Sequence, residues 1–334
     1  MTTRIAFLST AHIHTDAFIQ RILSDELDAR VEAIWDDDVE RGQRYAEKSG
    51  ARFAADIDAV LADESVDAVA ICDANTRHLP LLEEAVPAGK PIFCEKPLAT
   101  TVAEALRVKA LLDEHGTPFC CGYFTPFSSK HQTVKAAVAS GVFGKITHGF
   151  CRNSHHAAYG RWFDSEDLRW FTDPSLSGGG ALMDMGSHAV HLLLHLLGPV
   201  SDVTATISNS SGVYPEVDDY GSIQMRFASG ALGRAEASWI QHSSNSELEL
   251  WGTEAALVFI ENRAHVVKQG GEPVALAEAP ARPDRMDRLV ALARGDLSAE
   301  ELADDLSASL NEVAVMEAAY RAHGSGERML VVPV

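Results

Sequence analysis

"RIAFLSTAHIHTDAFIQRIL", residues Arg4 to Leu23, decides how the chain is read. Ile5–Leu8 is a short apolar run of the kind that forms a buried strand. From Asp16 onward, Phe18, Ile19, Ile22 and Leu23 recur at helical spacing. Between strand and helix lies the tight turn where a phosphate-binding loop carries G-x-G-x-x-G. Here those three positions hold Ser9, Ala11 and His14. The first glycine normally allows the turn, the second admits a pyrophosphate, and the third lets helix and strand pack closely. Serine often makes such a turn, alanine adds one methyl, and His14 is bulky. The helix start still offers N–H groups around Ala11–Ile13, and His12 or His14 can reach toward a phosphate. Ser9, Thr10, Ala11, His12 and Ile13 therefore read as a cofactor loop short of glycine.

Outward from this turn, the first 121 residues alternate short apolar runs with helical patterns. Val31–Trp35, Val66–Cys72, Pro91–Cys94 and Pro118–Cys121 read as strands. Val39–Ser49, Leu79–Ala88 and Thr101–His115 read as helices. Such alternation implies right-handed crossovers and a doubly wound parallel sheet. After Gly122 the rhythm changes. A helix over 128–140 and a strand over 145–152 precede a loop rich in His, Trp and Asp, and Ser177–Gly180 then opens a helix to Leu197. From Val203 to Ile260 long alternating strands joined by Ser229-Gly230 and Gly252-Thr253 imply an antiparallel sheet. Residues 284–295 and 299–323 read as helices and "RMLVVPV" as a final strand. The expected class is α/β: a doubly wound domain over 1–121, and an α+β domain with a large open sheet over 122–334. The final segment is allowed to pack back on the first domain.

The chain has 334 residues, 46% hydrophobic and 23% charged, within the range of soluble globular proteins. A net charge of −20 argues against nucleic acid and anionic membranes, which need clustered Lys and Arg. It does not argue against an anionic cofactor held by backbone N–H groups. No apolar run reaches the roughly 18 residues of a membrane span. No signal peptide precedes the first strand, so a cytoplasmic protein is expected. Five cysteines without metal-ligand spacing suit reduced, buried thiols. Cys120-Cys121 reads better as a buried strand end than as a redox pair.

Two further stretches carry chemistry. One is Phe93-Cys94-Glu95-Lys96-Pro97 at a strand's carboxyl end. The other runs from Gly178-Gly179-Gly180 through Asp184 to His188. With Gly122-Tyr123 and the late sheet, they resemble the glucose–fructose oxidoreductase / inositol dehydrogenase / MocA family over nearly the whole chain. The resemblance implies a nicotinamide-dependent oxidoreductase that moves hydride between a secondary alcohol of a sugar or cyclitol and NAD(P). It places Lys96, Asp184 and His188 in the active site. Asp184 and His188 are four apart and share a helix face. A histidine titrating near neutrality suits a general base. Lys96 is placed to stabilise a developing alkoxide, its backbone restricted by Pro97.

Asp36 lies 22 residues after His14, near the spacing of the acid that binds the adenosine ribose. With Asp37 and Asp38 it favours NAD over NADP, although Arg41 and Arg44 are candidate phosphate ligands. Asn75 and His78 match the family's polar turn beside the cofactor, with Glu95 and Lys96 at the next strand end. Asn153 matches a substrate-binding asparagine of inositol dehydrogenases; Tyr123, Arg161 and Trp162 are weaker substrate candidates. His155 and His156 face either substrate or solvent. The family often carries an arginine after Gly-Tyr, where this chain has Phe124. His191 and His195 read as a packed helix face, and no metal ligand set is expected. The partner is a small polyhydroxylated molecule, and the open sheet face implies a homodimer or homotetramer. The rival reading is an inactive relative that senses a sugar or nucleotide, favoured by the glycine-poor turn.

Overall fold

The computed structural model describes residues 2–24, 26–242, 245–332 and 334. The chain divides into two compact units. The first comprises Met1–Tyr123, Phe163–Gly178 and Pro283–Leu310; the second comprises Phe124–Trp162, Gly179–Arg282 and Asn311–Val334. Sequence reading drew one boundary after residue 121. The two later stretches that join the first unit carry no composition shift that would mark them.

The first unit is built on β1 (Thr3–Leu8), β2 (Ala29–Trp35), β3 (Arg52–Ala54), β4 (Ala68–Ile71), β5 (Ile92–Cys94) and β6 (Phe119–Cys121). All neighbours are parallel, in the order β3-β2-β1-β4-β5-β6. Strands covered on both faces must be apolar throughout, and β4 is buried at each of its positions. The order reverses between β1 and β4, the place where open parallel sheets hold ligands at their carboxyl ends. The turn after β1, Asp36 after β2, Asp73–Asn75 after β4 and Glu95-Lys96 after β5 all lie at that edge. One layer of the core is completed from far along the chain. Met286, Leu289, Val290 and Leu292 of the helix Arg285–Arg294 share a cluster with Ile5, Phe7 and Phe93. Arg21 and Asp287 add an ion pair at 2.6 Å to the same helix.

The second unit holds β7 (Ile146–Ser154), β8 (Val200–Ser208), β9 (Tyr220–Phe227), β10 (Leu232–Ser238), β11 (Asn245–Gly252), β12 (Ala256–Ile260), β13 (Arg263–Val267), β14 (Val274–Ala275) and β15 (Met329–Leu330). They form one sheet, β14-β13-β12-β11-β7-β10-β9-β8-β15, antiparallel except where β10 runs parallel to β7. Residues 328–334 were expected as a strand, with the final segment free to return to the first domain. The strand spans only Met329–Leu330, and it pairs with β8 in the second unit's sheet. On one face the helix Ser187–Leu197 packs its Leu193 and Leu197 against β7 at Gly149. His191 is buried on this helix, as a packed face requires. The other face carries His148 stacked on Trp251 at 4.3 Å and Arg234 over Phe150, also at 4.3 Å.

Candidate functional site

In the first unit, Ser9 adopts φ +66°, the left-handed conformation for which glycine is the usual residue. The turn therefore keeps the backbone path of a glycine loop without its first glycine. Four N–H donors of Ser9–Ile13 are used within the chain, those of Ser9 on the Trp35 carbonyl at 2.8 Å and Ala11 on Ser9 Oγ at 3.3 Å among them. The Thr10 N–H donates to Asp36 Oδ2 at 2.8 Å, and the His12 N–H to the Cys72 carbonyl at 3.0 Å. Trp170, which sequence reading did not single out, donates its indole N–H to the Ala11 carbonyl at 3.0 Å. Trp170 and Phe171 set their rings 5.8 and 5.6 Å from that of His12.

Asp36 was expected to offer its carboxylate to a ribose. The structure gives that carboxylate five donors from the chain. Oδ2 accepts from the Thr10 N–H, the Thr10 hydroxyl at 2.6 Å and Arg41 Nε at 3.0 Å; Oδ1 accepts from Arg41 Nη2 at 2.5 Å and the Asp38 N–H at 3.0 Å. Burial alone would raise Asp36, but the Arg41 and Thr10 hydrogen bonds outweigh it and hold the carboxyl below its ordinary value. Asp37 and Asp38 are both exposed, and Asp37 is paired with Arg77 Nη2 at 2.7 Å. Arg44 is bound to Asp167. Asn75 donates its amide to the Ser177 carbonyl at 2.7 Å. His78 is fully buried, with Nδ1 2.8 Å from the Pro97 carbonyl and Nε2 3.2 Å from that of Asp73. Burial lowers its pKa. His78 is thus a strut between two loops.

Glu95 and Lys96 are both buried, so Lys96 is no surface ion-pairing lysine. Glu95 Oε2 accepts the Lys96 N–H at 2.8 Å, and Oε1 lies 2.9 Å from His14 Nδ1 and 3.7 Å from His12 Nδ1. Burial would raise this carboxyl, but the two histidines and Lys96 hold it well below the carboxylate range. Gly122 makes room for it: a Cβ there would stand 2.8 Å from Glu95 Oε2. The bonds that hold Asn75, Glu95 and the turn explain why these residues are fixed. Tyr123 is fully buried too.

In the second unit, Leu182–Gly186 winds as a π-helical turn before the α-helix Ser187–Leu197 begins. Asp184 lies in that turn and His188 just beyond it, so the uniform α-helical face expected for them is replaced by a wider turn. Trp239 Nε1 donates to Asp184 Oδ2 at 2.9 Å, and His155 Nε2 lies 3.9 Å from the same oxygen. His155 is therefore beside the acid, and its ring in turn lies 4.7 Å from that of Trp162. Arg161 has its guanidinium 5.4 Å from the Tyr214 ring. His188 packs edge-on against Phe124 at 5.1 Å. A cavity of about 250 Å³ is lined by His188, Asn153, Phe124, Ser128, Lys130 and His131, among others. The Asn153 amide donates to the Met185 carbonyl at 3.3 Å, which fixes its direction. Burial brings His131 down to about 4, so it lines the cavity as a neutral ring at pH 7.

Residues 4–123 match the model of the oxidoreductase family with an NAD-binding Rossmann fold, and residues 131–258 match the GFO/IDH/MocA C-terminal domain. The chain belongs to the Gfo/Idh/MocA oxidoreductase family. Among similar proteins is a 1,5-anhydro-D-fructose reductase of Ensifer adhaerens, 27% identical over 221 residues, or 66% of this chain and 65% of that relative. The chain thus spans just under two thirds of that relative's length. An inositol 2-dehydrogenase of Rubrobacter xylanophilus is 27% identical over 294 residues, 80% of this chain and 82% of that relative. Among solved structures, levoglucosan dehydrogenase in complex with NADH has a TM-score of 0.78 at 20% identity, covering 100% of both chains. An aldose–aldose oxidoreductase from Caulobacter crescentus, complexed with glycerol, has a TM-score of 0.83 at 23% identity, covering 99% of this chain and 100% of that one. At these identities the likeness of the structures concerns the fold.

For a Gfo/Idh/MocA chain, the glycine run before Asp184 has a clear physical task. Asp218 receives the Gly180 N–H at 2.9 Å and the Leu182 N–H at 2.7 Å on its two carboxylate oxygens, and the Ala181 N–H at 2.8 Å on its carbonyl. Tyr320 donates its hydroxyl to Asp218 Oδ1 at 2.8 Å. The orphan donors at the start of the histidine helix are thus satisfied by a carboxylate from a distant loop. A Cβ on Gly180 would stand 2.0 Å from the Asp218 carbonyl oxygen. Gly180→Ala is expected to cost about 1–3 kcal/mol through this overpacking, read as a lowered urea midpoint at unchanged slope. An unchanged midpoint would mean that the clamp yields freely.

Proposed function

We propose that this chain is an NAD-dependent dehydrogenase acting on a CH–OH group of a sugar or cyclitol. The observation that carries it is the second unit's cavity, where His188 and the fixed Asn153 amide share a wall. The relatives named above act on such substrates by their own names, which supports the substrate class. The turn after β1 fits a dinucleotide by two features: the left-handed backbone at Ser9, and Ala11, whose side chain is a single methyl. Ser9–Ile13 would hold the pyrophosphate, and Asp37 is better exposed than Asp36 for the ribose edge. Arg41 and Arg44 are each engaged by carboxylates, which supports NAD over NADP, since neither cation is left to take a 2′-phosphate.

The bound nicotinamide supplies the hydride acceptor. His188 takes the proton of the substrate hydroxyl at its imidazole. Asp184, held by Trp239, tunes and orients the polar groups around it, with His155 beside it. Asn153 directs its amide at a further hydroxyl. Lys96 stabilises negative charge developing on the reacting oxygen. The phenyl edge of Phe124 and the lining of Leu192 and Leu248 keep part of the cavity dry.

The test is purified protein with NAD or NADP and a panel of sugars and inositols, followed by reduced-cofactor absorbance. Turnover with NADP preferred would overturn the cofactor choice. Failure to bind either cofactor at millimolar concentration would favour the sensing reading, which the internally used donors of Thr10 and His12 support. Ala11→Val is expected to weaken NAD binding roughly tenfold or more, the cost of a branched side chain in a crowded turn, while Ala11→Gly is tolerated. Calorimetry compares the three forms. Equal binding by the valine form would place the cofactor away from this turn.

A further inference from the structure

Among the described residues, His12, His14 and Glu95 bring three ligand-type atoms within 4.8 Å of one another. We propose that these residues form a binding site for a divalent transition-metal ion of the zinc class, through His12 Nδ1, His14 Nδ1 and Glu95 Oε1.

Two donors each about 2.1 Å from one ion and about 90–109° apart stand roughly 3.0–3.4 Å from each other. The two histidine-to-carboxylate separations are 2.9 and 3.7 Å, so small side-chain rotations bring both into range. The chemistry of the donors agrees. His12 Nδ1 accepts the His14 N–H at 3.3 Å, which places a lone pair and not a hydrogen on that nitrogen. That weak bond is what an ion would displace. His14 Nδ1 lies 2.9 Å from Glu95 Oε1, and the tautomer with its hydrogen on Nε2 presents a second lone pair there. Glu95 spends its other oxygen on the Lys96 N–H, so its first oxygen is oriented by a backbone bond. The spacing His-x-His puts both rings on one short turn, and Glu95 arrives from the neighbouring strand end.

Access and surroundings also fit. The His14 side chain is 30% exposed while those of His12 and Glu95 are 1% and 0% exposed. An ion would enter past His14 and complete its coordination with water there. Trp170 and Phe171 form an apolar wall behind His12, which strengthens charge–dipole interactions inside. The inference concerns the first unit alone, and its ligand His12 belongs to the turn Ser9–Ile13 proposed above for the pyrophosphate.

The test uses the full chain treated with chelator and then titrated with zinc chloride by calorimetry, with cobalt(II) absorbance as a second readout of coordination. One ion per chain is expected, with a dissociation constant in the micromolar range or tighter. His14→Ala, at a partly exposed position, is expected to weaken binding at least tenfold, and His12→Ala likewise. His115→Ala, on an exposed helix end, is expected to leave it unchanged. Circular dichroism confirms that each variant is folded; should His12→Ala not fold, His14→Ala decides alone. No saturable binding below about 0.1 mM, or equal binding by folded His14→Ala, would overturn the proposal.

Discussion

Replacing His188 with alanine is expected to lower kcat by roughly 10²–10⁴-fold, the range for loss of a positioned general base. The ring is 5% exposed and packed edge-on against Phe124, so it has one defined place on the cavity wall. Its removal enlarges the cavity and leaves the helix Ser187–Leu197 anchored by Leu193 and Leu197. Stability should therefore change far less than turnover. A rate deficit with an unshifted melting curve would assign the loss to chemistry. Lys96→Ala belongs to the same experiment, with an expected loss of roughly 10²-fold for a removed charge-stabilising group. Both variants turning over at the wild-type rate on an identified substrate would remove these residues from the mechanism. A rise in KM alone, with kcat unchanged, would reassign His188 to substrate binding.

Asp36→Ala is expected to destabilise the protein by about 3 kcal/mol or more, because it leaves the Arg41 guanidinium without its main partner in a buried setting. The Asp36 side chain is 0% and the Arg41 side chain 10% exposed. The same substitution frees Arg41 and is expected to improve NADP binding relative to NAD. Urea unfolding and cofactor titration read the two effects separately. The pair also makes stability depend on pH. The folded-state carboxyl titrates below its ordinary value, so the stabilisation is complete above the ordinary aspartate pKa of about 4. It is lost as pH falls through the lower folded value. Asp36→Asn should flatten that acid limb, and an unaltered acid limb would show that the pair contributes nothing.

The parts of the fold that were legible rest on local periodicity. Ile5–Leu8, Ala68–Ile71 and Ile92–Cys94 are apolar throughout, and Val31–Trp35 is apolar but for Glu32, because both faces of the parallel sheet are covered. Asp184 and His188 were singled out because the stretch from Gly178 to His188, which carries the family resemblance, is itself local. β3 went unread because "RFA" offers one apolar side chain between an arginine and a small residue. β13 and β14 lack the continuous apolar run of β4. Trp170, Asp218, Trp239 and Tyr320 were missed for a different reason. Each acts on a backbone group or carboxylate far from it in sequence, and nothing nearby records that pairing. A buried tryptophan seeks a partner for its indole N–H, and this was the one available signal for Trp239 and Trp170. Asp36 shows what position in the sequence leaves out. Its position was read correctly, but the five donors that occupy it come from Thr10, Asp38 and Arg41, and only geometry reveals that they converge.

Chain synthesis meets a waiting period in the nucleotide unit. Its six strands are complete by Cys121, but the cluster around Ile5, Phe7 and Phe93 is closed by Met286, Leu289 and Val290. At about 5–20 residues per second, the roughly 190 residues between Tyr123 and Leu310 take about 10–40 s to emerge. Throughout that interval the ribosome-bound sheet presents an apolar face that a chaperone can hold. A fragment ending at Tyr123 would keep that face permanently, so it should be recovered as aggregate, whereas the same fragment joined by a linker to residues 283–310 should be recovered from solution.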